Sequence, residues 1–272
     1  MRMDTTETRQ HRRRPSPLAS LCLAALLAAS LAGLAGCAAQ QQGSAPGSPP
    51  EQQEEIPDPL EELNRAVFQL NEFLDLIILR PLSEVYRAVF PDPVRDSVRN
   101  FLRNLGSPVV FFNDVLQGQG ERAQITFGRF LVNTTLGVGG LFDVAAGMGA
   151  PYHGEDFGQT LGVWGFKPGI YLVLPILGPS TTRDAIGRVG DVFMNPLTYV
   201  YSANDLEYLP LAFGVAGAVD LRARNIELLD QLKRDALDYY ILMRSIYLQI
   251  RENEIRNGRT QGEGPERKLE IQ

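Results

Sequence analysis

From residue 58 onward, apolar side chains recur every three or four positions in segments closed by Pro or Gly, the spacing of amphipathic helices. Leu60, Leu63, Val67, Leu70, Leu74 and Ile77/Ile78 mark one face up to Arg80-Pro81. Asp58-Pro59-Leu60-Glu61 supplies the start signal, with Asp at the N-cap and Pro at N1. A second Asp-Pro pair, Asp92-Pro93, precedes Val94, Val98, Phe101, Leu102 and Leu105, and Gly106 is expected to stop that helix. Pro108 then begins a separate apolar piece, VVFFNDVLQG. Residues 119–136 read as the next helix, followed by Gly137-Val138-Gly139-Gly140. Ser180 is expected to start a helix through Val192, and one long helix is expected over residues 221–256. Period-two alternation is scarce, so the fold class is all-α with room for one short strand pair.

The stretch DFGQTLGVWGFKPGIYLVLPILGPSTTRD, Asp156 to Asp184, breaks this pattern. It holds the only Trp, Trp164, an aliphatic run from Ile170 to Leu177 interrupted by Pro175, and glycines at 158, 162, 165, 169 and 178. Pro168-Gly169 suits a tight turn. The segment reads as a glycine-rich apolar hairpin that ends at a helix N-cap, Ser180.

Uncharged runs also occupy 130–142, 168–182 and 208–219. None reaches the ~20 apolar residues of a spanning helix. Runs this short, each interrupted by Gly or Pro, suit segments buried in protein or lying at an interface, and a soluble helical domain with a large core is the bland alternative.

The first 36 residues read as a leader: a basic region at Arg12, Arg13 and Arg14, then a Leu/Ala stretch ending in Leu34-Ala35-Gly36-Cys37. That ending is the pattern of a bacterial lipobox, which makes Cys37 the lipidated first residue, carrying an N-acyl diacylglycerol group and no other cofactor. Three acyl chains at ~0.8 kcal/mol per buried CH₂ make a stable anchor. Ala38 in place of Asp favours outer-membrane sorting. Residues 37–57 read as a Gln/Pro/Ser/Glu tether, 58–257 as one domain and 258–272 as a loose tail. Without the leader's five Arg and two acids the chain keeps 21 basic and 30 acidic residues, a net charge of −9. That balance disfavours nucleic acid and anionic lipid surfaces, so membrane contact has to be apolar.

Catalytic chemistry has little to stand on. Beyond the leader there is one His, His153, no Cys except Cys37, and no G-x-S-x-G elbow. A metal site would need carboxylates around that one His, and Gly137-Val138-Gly139-Gly140 lacks the rest of any nucleotide-binding fingerprint. The chain is therefore read as a non-enzyme. Polar residues beside the apolar faces (Asn64, Arg65, Asn71, Asp75, Asn100, Asn104 and Asn113) either cross-link helices or line a polar path. Arg129 and Asn133, one turn apart, fit either a salt bridge or a phosphate contact. Phe111, Phe112, Trp164, Phe166 and Tyr171 fit either a core or an interfacial belt.

Five ordered pieces carry a resemblance: DPLEELNRAVFQLNEFLD, RPLSEVYRAVFP, VRNFLRNLGSPVVFFNDVLQG, RFLVNTTLGVGGLFDVA and the Asp156–Asp184 stretch. Together they resemble the MlaA/VacJ lipoproteins of Gram-negative outer membranes. The resemblance implies a single ring-like helical domain in the inner leaflet of the outer membrane, on its periplasmic side, held against trimeric porins. An amphipathic channel would pass mislocalised outer-leaflet phospholipids to a soluble periplasmic lipid carrier. On this expectation Gly158, Gly162, Gly165 and Gly169 let the hairpin move as a gate. Trp164, Phe166, Tyr171 and Leu172 face acyl chains, while Arg129 and Asn133 accommodate the headgroup. A lipoprotein that only braces porins, or a lipid-modifying enzyme dependent on His153, are the alternatives.

Overall fold

The computed structural model describes residues 56–257, so the leader, Cys37 and the C-terminal tail lie outside the described residues. Within them, helices dominate and one small antiparallel strand pair interrupts them. Helix α1 (Glu61–Leu74) runs through a π-helical segment (Asp75–Leu79) into α2 (Arg80–Val89). The expected stop at Arg80-Pro81 does not occur. Pro81 has no N–H to place, it sits in the first turn of α2, and the Arg80 N–H reaches the Asp75 carbonyl five residues back. Nor does Asp58 cap α1. Leu60 occupies that position without a side-chain bond, and Asp58 accepts instead from Asn64 and from the Tyr240 hydroxyl.

Helix α3 (Asp92–Leu116) is continuous across Gly106 and Pro108, where two separate pieces are expected from the sequence. An interior Pro costs roughly 3 kcal/mol in an isolated helix. Here α4 (Gly120–Thr135) lies along α3 and supplies compensating contacts. Thr126 Oγ1 donates to Asp114 at 2.6 Å, Asn104 donates to Thr134 at 2.9 Å, and Phe111 meets Phe127 at 5.8 Å. The short helices α5 (Val144–Gly147) and α6 (Phe157–Val163) follow, capped by Asp143 and Asp156.

The strand pair is shorter than the hairpin read from the sequence, and its turn lies elsewhere. Strand β1 (Tyr171–Leu174) pairs with β2 (Gly178–Thr181), Tyr171 opposite Thr181 and Leu174 opposite Gly178. The turn falls at Pro175–Leu177, not at Pro168-Gly169. The first part of the expected hairpin, Phe157–Val163, is helix. Thr181, not Ser180, caps α7 (Thr182–Met194) by accepting from the Asp184 N–H.

Helix α8 (Pro196–Ala203) leads to α9 (Leu209–Arg224). The expected final helix is three pieces: the end of α9, then α10 (Ile226–Asp235) and α11 (Tyr239–Ile255). Asp238 accepts from the Ile241 N–H at 3.1 Å, so it starts a new helix where apolar periodicity runs on regardless. The aromatic core sits where the strand pair meets α1 and α11. Tyr171, Val173 and Tyr240 pack with Ile56, Val67, Phe68, Tyr247 and Leu248. Ile56 and Pro57, read as the end of the tether, are tied to it: the Ile56 carbonyl accepts from Arg244, and that of Pro57 from the Tyr171 N–H.

Candidate functional site

The distribution of side chains is inverted. Among the described residues, nine hydrophobic residues are buried against eighteen polar or charged ones. Apolar side chains are normally the buried class, and a fully buried aliphatic or aromatic one contributes about 1.5–3 kcal/mol. Here whole helical stripes face outward. Helix α2 exposes Leu82, Val85 and Val89 while it buries Ser83, whose hydroxyl donates to the Val219 carbonyl. Helix α7 exposes Ile186, Val189 and Phe193, and turns Arg183, Asp184 and Gly187 inward. The π segment exposes Leu76, Ile77 and Ile78. At the hairpin tip Ile176 is 82% exposed, with its backbone in the left-handed region (φ 68°). A β-branched residue is strained there. Among the described residues no helix is long and apolar enough to cross a membrane.

The interior is polar because it is cross-linked. Buried Asp114 accepts from Thr126, and His153 Nε2 lies 3.0 Å from it. Both Asp114 and Thr126 meet that one imidazole nitrogen, so the trio is not a relay, which needs the carboxylate and the hydroxyl on opposite ring nitrogens. Thr160 Oγ1 donates to Asn113 at 2.7 Å, and Asn113 donates to Asp191 at 3.1 Å, joining α3, α6 and α7. Burial pushes the Asp191 carboxyl up to about 6, against the bonds from Asn113 and the Phe157 N–H.

On the other side Arg251 of α11 forks onto Asp156 (2.7 and 2.9 Å) and reaches Asp184 at 3.0 Å. Burial alone would raise Asp184, but Arg251, Tyr247 and Arg183 hold it down at about 2. Arg222 likewise joins α9 to the π segment through Asp75 (2.7 and 3.0 Å).

The residues expected to form a gate do not share one environment. Trp164 and Phe166 are exposed, Trp164 donating its indole N–H to the Leu116 carbonyl. Leu172 is half-buried. Tyr171 does not face outward: it is 0% exposed, edge-on to Tyr240 and Tyr247. Gly158 and Gly162 sit where helices touch. A Cβ on Gly158 would lie 2.7 Å from Asp184 Oδ1, and one on Gly162 would lie 2.8 Å from the Ile255 side chain. Only Gly165 and Gly169 have left-handed backbones, at φ 90° and 73°.

Arg129 and Asn133 do come together, but around Asp143. Arg129 donates to both carboxylate oxygens (3.0 and 2.8 Å) and to the Ala150 carbonyl. Asn133 donates to Asp143 at 3.0 Å and accepts from the Ala145 N–H. Burial opposes ionisation of Asp143, yet these donors hold its carboxyl below the usual range. Of the two readings open at the sequence, the salt bridge is the one formed. The same pocket holds a residue the sequence reading passed over, Arg103, alongside Asn100 and Asn104. Its place at i+4 from Arg99 and i+8 from Arg95 on α3 was the available signal.

Apolar on its outward stripes and polar and ion-paired inside, the described part of the chain is a mostly helical protein with an inverted distribution of side chains. A family model for the MlaA lipoprotein matches residues 56–254, and the chain belongs to that family. It is 36% identical over 208 residues to the Escherichia coli intermembrane phospholipid transport system lipoprotein MlaA, covering 74% of this chain and 79% of that protein. It is 39% identical over 201 residues to an uncharacterised protein of Rickettsia conorii, covering 73% of this chain and 78% of the relative. A solved structure concerned with the maintenance of bacterial outer membrane lipid asymmetry superposes with a TM-score of 0.66 at 36% identity, covering 73% of this chain and 99% of that one.

Proposed function

We propose that this protein removes mislocalised phospholipids from the outer leaflet of the outer membrane and passes them to a soluble periplasmic carrier. It would act without catalysis, anchored through lipidated Cys37, with its helices embedded in the inner leaflet beside trimeric porins. The observation that carries this is the inverted distribution. Outward stripes such as Leu82, Val85 and Val89 lose nothing against acyl chains, while the buried ion pairs supply the polar half of an amphipathic route.

The moving part in this reading is the segment at Gly165 and Gly169 rather than the strand pair, which α1 clamps along its edge. The test is outer-leaflet phospholipid in cells lacking the protein, complemented by wild type or by a form with Cys pairs cross-linking residues 165–169 to α7. Surface phospholipid should rise without the protein and fall with wild type. It should stay high with the cross-link until reduction. Unchanged surface phospholipid on deletion would overturn the function and leave the porin-bracing role. Full restoration by the cross-linked form would remove the gate alone.

A further inference from the structure

Of the cationic side chains in the interior, Arg129, Arg183, Arg222 and Arg251 are all ion-paired. Arg103 is not. It lies over the Tyr152 ring at 4.2 Å, with the Arg129 guanidinium on the same ring at 5.7 Å, and no carboxylate or carbonyl among the described residues accepts from it. Burial lowers its pKa, and nearby Arg99 and Arg129 lower it further, opposed by Tyr152 and Asp143. A half-buried guanidinium without a counter-ion is costly unless something completes it.

Its pocket is lined by Asn100, Asn104, Arg129, Asn133 and Asp143. Arg129 and Asp143 cancel, leaving one positive charge. Asn104, 6% exposed, directs its amide N–H to Thr134, and its Oδ1, an acceptor, is left without a donor, so it adds no bond to an anion. Asn100 makes only a 3.5 Å contact with the Leu141 carbonyl. The loop between Asn133 and Asp143 exposes Leu136, Val138, Leu141 and Phe142, so an apolar lip adjoins this polar pocket.

We infer that this pocket binds a phosphodiester monoanion, the headgroup phosphate of a phospholipid, with Arg103 as its cation and the Asn100 amide as a donor beside it. A guanidinium fork matches two phosphate oxygens, and one residual charge matches one phosphodiester. The apolar lip selects a lipid over free phosphate. The inference rests on the lipid-handling function proposed above and adds where the headgroup is read.

The test uses full-length lipidated protein in a phosphate-free maltoside detergent, titrated calorimetrically with dihexanoyl phosphatidylethanolamine and separately with inorganic phosphate. Arg103→Gln should weaken lipid binding by roughly tenfold or more, and Arg103→Lys by less, since it keeps the charge but loses the fork. Unchanged affinity in a folded Arg103→Gln protein overturns the proposal. If Arg103→Gln melts far below wild type, Asn104→Asp decides: a carboxylate in the pocket should weaken binding similarly, and unchanged affinity overturns the site. Inorganic phosphate that binds alone and displaces the lipid at equal concentration would make this a free-phosphate site and overturn the lipid assignment. Surface phospholipid in the deletion strain is read in parallel. A normal response there with unaltered Arg103→Gln binding sinks only this site, whereas no response to deletion sinks the function itself.

Discussion

Asn64 and Asn71 lie two turns apart on α1, and each uses both ends of its side-chain amide, Asn64 on strand β1 and Asn71 on the end of β1 and the turn after it. Asn64 donates to the Tyr171 carbonyl at 3.1 Å and accepts from the Val173 N–H at 2.8 Å. Asn71 donates to the Leu174 carbonyl at 3.0 Å and accepts from the Ile176 N–H at 2.7 Å. The spacing works because seven helical residues rise about 10.5 Å and three extended residues span about 10 Å. Two side chains thus replace a third strand along an edge that would otherwise be left unpaired.

Replacing Asn64 by Leu keeps the branched shape but strands a buried carbonyl and N–H on β1, while Asp58 keeps the Tyr240 hydroxyl. At about 1–3 kcal/mol per unsatisfied group, a loss of about 2–5 kcal/mol is expected. The less buried Asn71→Leu should cost about 1 kcal/mol, because water can take over its partners. Thermal unfolding in detergent, followed by circular dichroism, measures both. Equal losses would show that burial does not govern the clamp.

At the hairpin tip, Ile176→Asn should separate fold stability from membrane affinity. Asn tolerates the left-handed backbone at φ 68° far better than Ile, so the fold should gain about 1 kcal/mol. Losing an 82% exposed apolar side chain should weaken partitioning of the protein into phospholipid vesicles. A variant that gains stability and still partitions like wild type would show that the tip does not enter the bilayer.

Gly187 and Gly158 mark the crossing of α6 and α7. A Cβ on Gly187 would lie 2.3 Å from the Gly158 backbone nitrogen, which no side-chain movement relieves. Gly187→Ala should therefore cost about 3 kcal/mol or more. Gly165→Ala, in open space but at φ 90°, should cost only about 1–2 kcal/mol. Denaturant midpoints of the two variants order the effects, and the reverse order would refute the crossing.

The Asp191 carboxyl is raised from 3.8 to about 6 by burial. It holds its proton more tightly when folded, so its contribution is greatest below 3.8 and is lost as pH rises to about 6. Asp184, lowered to about 2, acts oppositely: its contribution is full above 3.8 and fades as pH falls through about 2. Asp191→Asn should flatten stability between 3.8 and about 6 and add about 1–2 kcal/mol at neutral pH, after discounting for its partial exposure. Unfolding measured across that range checks the sign. A slope the variant leaves intact belongs to Glu155, whose carboxyl burial also raises.

Removing Arg251 leaves half-exposed Asp156 without that cation and buried Asp184 with Arg183 as its remaining cation and the Tyr247 hydroxyl. Arg251→Met should cost about 3–5 kcal/mol and release α11 before the rest of the domain unfolds. Hydrogen exchange resolved by segment detects this as early loss of protection over residues 239–255. Uniform loss across the domain would mean that α11 is not an independent unit.

Most helices were legible because periodicity and capping are local. Residues 119–136 and the start at Asp92 needed no knowledge of their neighbours. The continuous α3 was not legible, since Gly106 and Pro108 are breakers until α4 lies alongside with Thr126 and Thr134. The break at Asp238 was hidden for the converse reason: apolar periodicity continues through a residue whose side chain caps a new start. Of the candidate site, the exposed Trp164 and Phe166 were readable as apolar residues in a loop-rich stretch. That Tyr171 is buried against Tyr240 and Tyr247 was not, because burial of an aromatic is set by what packs over it.

By itself the sequence determined the helical class, the five ordered family motifs and the uncharged runs too short to cross a bilayer, all properties of neighbours along the chain. Only the tertiary structure decided which faces of those helices point outward, because an amphipathic stripe looks the same whether it meets a protein core or acyl chains. It also decided the partner of each buried charge. Arg103 and Arg129 are alike as letters, yet Asp143, fourteen residues beyond Arg129, neutralises one and leaves the other unpaired.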